Sequence, residues 1–283
     1  MHKLIAVALA AAATSIAHAD PRPLEVSVFT ASPGGFLVDS TLISGEKDAV
    51  LVDGQFTLAD AHRVVAMILE SKKNLTTIYI SHEHPDHYFG LVVLHQAFPK
   101  AKLVALPATV AEIEKTWKGK VKQWGPMLGD NLTKEPLIPT KLAGTSLTLE
   151  GQTLELHTAQ GDSATNSYVW IPSIKTVIAG DIAYRGVFPW TADTTPATRK
   201  AWAKTLDDIA ALHPTTVIAG HKDPKAANDP ATLTFVKTYL ADFDAAVASS
   251  KTADEVQRKV KAKYPELQLD VILQIGAGAA FAK

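Results

Sequence analysis

The sequence of 283 residues contains no cysteine. Disulfide bonds and thiolate metal ligands are therefore excluded, and any bound metal must be held by nitrogen and oxygen donors. An excess of charge is also absent, because 28 lysines and arginines stand against 29 aspartates and glutamates. No basic stripe and no charged tail interrupts this balance, so nucleic acid is not an expected partner.

Long apolar runs are lacking too, apart from a short one near the amino terminus. Leu4–Ala13 follows the basic start Met1-His2-Lys3 and precedes Ala17-His18-Ala19, which fits a small-x-small cleavage site. The run is too short to be a stable membrane anchor. We therefore predict a cleaved signal peptide over residues 1–19 and a single domain over residues 20–283. The mature protein is expected in a bacterial periplasm or outside the cell, without a membrane anchor; a buried amino-terminal helix is the alternative.

Apolar periodicity predicts strands in two parts of the chain, each accompanied by helices. The first part has predicted strands over 24–30, 36–44, 49–52, 76–80 and 102–105, and helices over 58–69, 91–98 and from 107. The second has strands over 146–149, 152–158, 167–171, 176–179 and 216–218, and helices over 198–212, 229–249 and 253–263. The intervening stretch 119–142 lacks clear periodicity and is predicted to be a lid-like loop. Two face-to-face sheets with helices outside, an α/β architecture, are expected.

The segment after the predicted strand 76–80 is rich in potential metal ligands. Its sequence is Ser-His-Glu-His-Pro-Asp-His-Tyr over residues 81–88, and the proline prevents a regular continuation of the strand. Alternate residues of a strand end point the same way, so His82 and His84 share a face. The following turn can bring Asp86 and His87 beside them. Imidazole and carboxylate are ligands of Zn²⁺ and similar ions, which predicts a site for one or two metals.

Three later turns have the same character, a polar residue beside a glycine at the end of a predicted strand. They are Gly161-Asp162, Gly180-Asp181 and Gly220-His221. Glycine permits a sharp turn that can project one side chain into a shared cleft. The combined set of predicted metal ligands is His82, His84, Asp86, His87, Asp162, Asp181 and His221.

These motifs resemble those of the metallo-β-lactamase superfamily of hydrolases, from about residue 24 to about residue 226. The resemblance rests on the histidine-rich loop and the three turns, together with Val-Leu-Val-Asp-Gly over residues 50–54. It implies a four-layer αββα sandwich with the site at one edge of both sheets. It also implies that one metal binds His82 and His84, that the second binds Asp86, His87 and His221, and that Asp181 bridges them.

Asp162 departs from the family pattern, which usually has histidine at this position. We interpret Asp162 as the replacement for the third histidine of the first metal, and the nearby His157 as a structural residue or one that supports a ligand. A further carboxylate weakens the Lewis acidity of the ions and makes the site harder. Two divalent ions are expected, with zinc ranked first and iron or manganese as alternatives.

The ligand set predicts hydrolysis of a small-molecule ester, lactone or amide. Two ions can share a hydroxide of lowered pKa while one ion polarises the substrate. Asp86 or Asp181 can pass a proton to the leaving group, and the phenol of Tyr184 can donate to an oxyanion. Tyr184 follows Asp181 at a spacing similar to that in lactonases of the superfamily; an aromatic residue that lines the core with a satisfied hydroxyl is the alternative. Trp124 and the segment 188–190 are candidate apolar walls, although burial in the core is the expected role of each residue taken singly. Asp53 either orients a ligand histidine or caps a turn.

Two other functions remain open. A β-lactamase would suit a periplasmic protein, but β-lactamases of the superfamily usually have cysteine or serine at the position of Asp181. A mononuclear Fe(II) oxygenase could use His82, His84 and Asp162 as two histidines and a carboxylate. The oxygenase hypothesis leaves the other four predicted ligands without a role.

Overall fold

The computed structural model of the protein describes residues 22–282. The predicted signal peptide lies outside the described residues. None of the helices within the described range is both long and apolar enough to cross a membrane.

The first sheet contains six strands that neighbour one another in chain order. They are β1 (Glu25–Thr30), β2 (Asp39–Ser44), β3 (Asp48–Val52), β4 (Asn74–Ile80), β5 (Lys102–Ala105) and β6 (Thr140–Lys141). β1 to β3 pair antiparallel, and β3 to β6 pair parallel. Parallel neighbours require crossover connections, and three helices provide them. These are α1 (Leu58–Ser71), α2 (Leu91–Ala97) and α3 (Pro107–Leu128).

The second sheet contains five strands in the order β12-β10-β9-β8-β7. The remaining strands of the chain are β7 (Ser146–Leu149), β8 (Gln152–Thr158), β9 (Ser167–Ile171), β10 (Thr176–Ile178), β11 (Tyr184–Arg185), β12 (Thr216–Ile218) and β13 (His221–Lys222). β11 and β13 pair with each other beside the sheet. The remaining helices are α4 (Pro196–Ala210), α5 (Ala231–Ala248), α6 (Ala253–Lys263) and α7 (Asp270–Phe281).

The two sheets pack face to face with helices on both outer faces. In β3, Val50 and Val52 face the core between the sheets, whereas Leu51 faces the core shared with α1 and α2. The second sheet alternates in the same way, since Ile178 faces the first sheet and Val177 faces α4 and α5. This period of two produces one core between the sheets and one under each helical layer. The predicted αββα sandwich is confirmed.

Three sequence-based predictions need correction. The stretch 119–142 is not wholly a loop, because α3 continues to Leu128 with Pro126 inside its last turn. β2 begins at Asp39 rather than at residue 36, because residues 33–35 form a 3₁₀ turn and Phe36 and Leu37 have φ of 60° and 55°. The prediction also omitted α7, which packs on α6 and the first core.

Candidate metal centre

All seven predicted ligands converge at one edge of the two sheets. His82 to His87 follow β4, Asp162 follows β8, Asp181 lies in the 3₁₀ turn after β10, and His221 begins β13 after β12. The side chains form two groups, in each of which one potential ligand atom per residue lies within 4.8 Å of the others. The first group is His82, His84, Asp162 and Asp181, and the second is Asp86, His87 and His221.

Asp181 lies between the two groups. Its Oδ2 is 3.4 Å from His82 Nε2 and 3.3 Å from His221 Nε2, so one oxygen faces a member of each group. Its Oδ1 is 3.1 Å from His87 Nε2. The position is the one expected of a bridging carboxylate, and the bridging role itself stays a prediction.

Asp162 and Asp86 occupy corresponding places in the two groups. Asp162 Oδ2 lies 3.3 Å from His84 Nδ1, and Asp86 Oδ2 lies 3.2 Å from His221 Nε2. The structure thus places Asp162 where the resemblance expects a histidine. His157 does not reach the centre, since it stacks on Tyr168 and lies 3.1 Å from Glu155 at the surface.

Hydrogen-bond acceptors at Nδ1 of the histidine rings determine which nitrogen faces the centre. Asp53 contacts His87 Nδ1 at 2.8 Å and also accepts hydrogen bonds from the amide and hydroxyl of Ser81. The carbonyl of Phe36 lies 2.7 Å from His221 Nδ1. Each contact engages one ring nitrogen and leaves Nε2 directed at the carboxylates, as in metal sites whose histidines are oriented by a neighbouring acceptor. Of the two roles considered for Asp53, the structure therefore favours orientation of a ligand histidine.

A glycine is required where two of the turns meet. A Cβ added to Gly220 would lie 2.1 Å from Asp181 Oδ1 and 2.6 Å from the carbonyl carbon of Gly180. Any side chain at this position would displace the central carboxylate. The backbone of the last turn can approach Asp181 because residue 220 has no side chain.

The donor set fits metal ions. His82 Nε2, His87 Nε2 and Asp181 Oδ1 are buried and form no hydrogen bond. Buried polar atoms without partners are costly, and three of them in the two ligand groups need a ligand to compensate them. Nitrogen and carboxylate oxygen are the donors that divalent zinc, iron and manganese accept. The residues present therefore fit two divalent ions.

Without metal, the carboxylates favour protons on the surrounding histidines. Burial opposes the charge on His221, but Asp181 outweighs it and raises the pKa of His221 to about 10. Burial likewise opposes charge on His84 and His87, yet Asp162 and Asp181 raise the pKa of the two imidazoles well above the ordinary value. Metal ions would replace these protons, so binding is expected to release them.

Tyr184 is joined to the centre. Its hydroxyl donates towards Asp162 Oδ2 at 2.7 Å and Asp181 Oδ2 at 3.0 Å, and its ring stacks on His221. Burial, followed by the two carboxylates, raises the pKa of Tyr184 well above its ordinary value, so the phenol keeps its proton. One proton serves two acceptors, and Tyr184 is a member of the polar centre rather than of the apolar core alone.

A cleft with a cavity volume of about 190 Å³ opens above the centre. His84, Asp86, Asp181, Tyr184 and His221 form its floor. Its walls are largely apolar, and they include Trp124, Phe188 and Trp190 together with Phe36, Phe56 and Ile272. The candidate wall residues Trp124, Phe188 and Trp190 line the cleft and also pack in the first core, so both roles considered for them are present. The lining suits a substrate with an apolar body.

Sequence reasoning missed three residues beside the centre. Glu83 is buried and accepts hydrogen bonds from Ser163 and Thr165, which ties the histidine-rich loop to the Asp162 turn. Burial opposes its ionisation, but His84 and His82 outweigh burial and lower the pKa of Glu83 to about 2.

Lys120 on α3 donates to the Glu83 carbonyl. Asp193 lies 3.6 Å from His84 Nε2. Only Glu83 carried a signal, its position between two predicted ligands.

Comparison with known proteins agrees with this geometry. The sequence model of the metallo-beta-lactamase superfamily matches residues 33–221, a range that contains all seven predicted ligands. A metallo-beta-lactamase family protein from Thermus thermophilus is 19% identical, with a TM-score of 0.65 over 91% of each chain. The metallo-beta-lactamase from Pontibacter korlensis is 18% identical, with a TM-score of 0.58 over 78% of this chain and 100% of that one. The DIM-1 metallo-beta-lactamase is 18% identical, with a TM-score of 0.55 over 77% of this chain and 92% of that one. At such identities the solved structures share the fold alone. None of the curated proteins matches the sequence.

Proposed function

The chain belongs to the metallo-β-lactamase superfamily, and we propose that it is a dinuclear metal-dependent hydrolase of ester, lactone or amide substrates. The observation that carries the proposal is the pair of ligand groups with the Asp181 carboxylate directed at both. Zinc is the first choice of metal, with iron or manganese as alternatives, since three carboxylates make the donor set harder than one of imidazoles alone.

Two divalent ions bound there would supply a water of lowered pKa and polarise the carbonyl of the substrate. The side chains around them have separate tasks. Asp53, Ser81 and the Phe36 carbonyl hold the imidazole rings in place. The aromatic walls of the cleft exclude water from the substrate and orient its apolar part.

Asp86 and Asp181 are the proposed proton carriers. Both line the cleft, and either carboxylate can hold the proton that the leaving group takes. Tyr184 is the proposed donor to an oxyanion that develops on the substrate. Its single proton is shared between Asp162 and Asp181, so it reaches the substrate only by leaving one of them.

The second ligand group weighs against the mononuclear oxygenase. Asp86, His87 and His221 lie beside His82, His84 and Asp162, and a single iron bound to the latter three would leave the former three without an ion to bind. A β-lactamase remains an alternative within hydrolysis. Export to the periplasm or beyond the cell is also proposed, supported by the sequence of residues 1–19.

Metal content measured together with activity tests the proposal. The purified protein is expected to contain two equivalents of divalent metal and to hydrolyse at least one member of a panel of lactones, esters and amides. Turnover of nitrocefin would identify a β-lactamase. One equivalent of iron with consumption of O₂ and no hydrolysis would overturn the dinuclear assignment.

A further inference from the structure

Lys120 brings a positive charge to the cleft. Its side chain extends from α3, and its Nζ donates to the Glu83 carbonyl at 2.7 Å, directly above the histidine-rich loop. It lines the same cleft as His84, Asp86 and Trp124. Among the described residues that line this cleft, it is the one lysine or arginine.

The ammonium of Lys120 is not paired. Within residues 22–282, the carbonyl of Glu83 is its one hydrogen-bond acceptor, and no carboxylate oxygen lies within 4.0 Å of Nζ. An ammonium has three N–H donors, so two of them are free to bind a ligand. Burial lowers the pKa of Lys120, although the nearby carboxylates of Glu83, Asp86, Asp193 and Asp162 favour its charged form.

Lys120 adds to the attraction for an anion in the cleft. Asp86, Asp162 and Asp181 offset three of the four charges that two divalent ions would bring. Phosphate dianions would be repelled by Asp86 and Asp193, which line the cleft as well. A single carboxylate attached to an apolar body suits this combination of one cation, acidic neighbours and aromatic walls.

We propose that Lys120 binds a carboxylate of the substrate, so that the preferred substrates are esters, lactones or amides that carry an acidic group. This inference rests on the hydrolytic function proposed above. The role given to Lys120 is binding and selection of the substrate by its charge.

Matched substrates and variants test the inference. The substrates are the mono-4-nitrophenyl ester of adipate, which carries a free carboxylate, and 4-nitrophenyl hexanoate, which has the same chain length without it. The variants are Lys120→Gln, which keeps a donor for the Glu83 carbonyl, and Lys120→Arg, which keeps the charge. Lys122→Gln is the control, because Lys122 is exposed on the same helix and forms no hydrogen bond or ion pair with the described residues.

Lys120→Gln is expected to lower kcat/KM for the acidic ester by about 10- to 100-fold, mainly through KM, and to leave the neutral ester within a factor of about 3. Lys120→Arg should restore most of the preference, and Lys122→Gln should behave as the wild type. Equal loss on both esters, or no loss on either, would overturn the inference while leaving the hydrolase assignment intact.

Binding of inert ligands separates the two proposals. Phenylacetate and phenylacetamide differ in charge but share the aromatic body, and Trp124 and Trp190 in the cleft report binding by fluorescence. If neither ester is hydrolysed, the hydrolase proposal fails for this substrate class, and phenylacetate decides the role of Lys120. Weaker binding of phenylacetate to Lys120→Gln, with phenylacetamide unchanged, would still support the carboxylate site. Equal binding of phenylacetate to both proteins would refute it.

Discussion

The Tyr184 hydroxyl lies 2.7 Å from a carboxylate oxygen of Asp162. The tyrosine thereby contacts Asp162, the predicted metal ligand at which this chain differs from the pattern of its superfamily. A histidine at that position could not accept the bond in the same way while binding a metal. Asn166 donates to the other oxygen of Asp162 at 2.9 Å, so each of the two oxygens accepts a hydrogen bond.

Tyr184→Phe is expected to keep two equivalents of metal and to lose about 10- to 100-fold in kcat, because the donor to the oxyanion is removed while the metal ligands remain. Steady-state kinetics and metal analysis check this. Tyr168→Phe is the control, since Tyr168 stacks on His157 away from the centre. Unchanged kcat in Tyr184→Phe would show that the phenol has only a structural role.

His84→Ala is expected to abolish activity and to bind about one equivalent of metal or less, while the fold remains. The side chain lies at the cleft floor rather than in a hydrophobic core, so its loss removes a ligand without creating an apolar cavity. Circular dichroism and metal analysis measure the two effects. His62→Ala on the exposed face of α1 should keep both metal and activity. Full activity of His84→Ala would refute the site assignment.

Asp162→His is expected to tighten zinc binding by about tenfold, because imidazole is the softer ligand and zinc prefers it to carboxylate more than manganese does. Competition with a zinc-sensitive chelator measures the affinity. The variant also loses the bond from Tyr184, so its kcat is expected to fall despite better zinc binding. Zinc affinity equal to that of the wild type would contradict ligation by residue 162.

The free energy of unfolding is expected to depend on pH through Asp39, which stabilises the folded protein at acid pH and loses this effect as the pH rises. Burial raises the pKa of its carboxyl from 3.8 to about 8, so the folded protein holds a proton there that the unfolded chain releases between these pH values. The resulting stabilisation is complete below pH 3.8 and is lost as the pH rises through about 8. Asp39→Asn cannot ionise and should be more stable than the wild type by about 1–3 kcal/mol at alkaline pH.

Urea unfolding of the metal-free protein at several pH values measures this difference, which should shrink towards acid pH. Asp130→Asn, at an exposed position, is the control. A difference that stays constant across pH would show that folding does not raise the pKa of Asp39.

Substitution by alanine is expected to have different effects at two glycines of α7. A Cβ at Gly276 would lie 2.3 Å from Thr191 Oγ1, whereas a Cβ at Gly278 has nothing within 4 Å. Alanine raises helix propensity at both sites by up to about 1 kcal/mol. Gly278→Ala should therefore stabilise the protein, and Gly276→Ala should be less stable than Gly278→Ala by about 1–2 kcal/mol. Gly276→Ala should also raise KM, because the loop of Thr191 carries Trp190 and Asp193 into the cleft. Equal stability of both variants would contradict close packing there.

Much of the fold follows from local sequence. β5, β7, β8, β9 and β12 begin and end at the predicted residues, because each is a short run of apolar and β-branched side chains bounded by turn residues. The seven potential ligands also converge as predicted, since strand ends of a layered fold meet at one edge. Their ligation of metal stays a prediction.

Other features depend on contacts that no local pattern contains. Gly119, Gly125 and Pro126 obscured the end of α3, although Trp117, Val121, Trp124 and Leu128 recur at helical spacing and pack on the core. Lys120 reaches the cleft only because this helix continues past residue 119. Asp193 meets His84 through a loop that packs against α7 at Thr191, and its role could not be read from the sequence.

The wall formed by Leu269 and Ile272 has a consequence for how the site can change. Every side chain expected to bind the cations lies in the part of the chain that ends at His221. Leu269 and Ile272 stand at the beginning of α7, close to the other end of the chain. Substitutions in α7 can therefore reshape the space offered to a substrate without replacing any group expected to hold the cations.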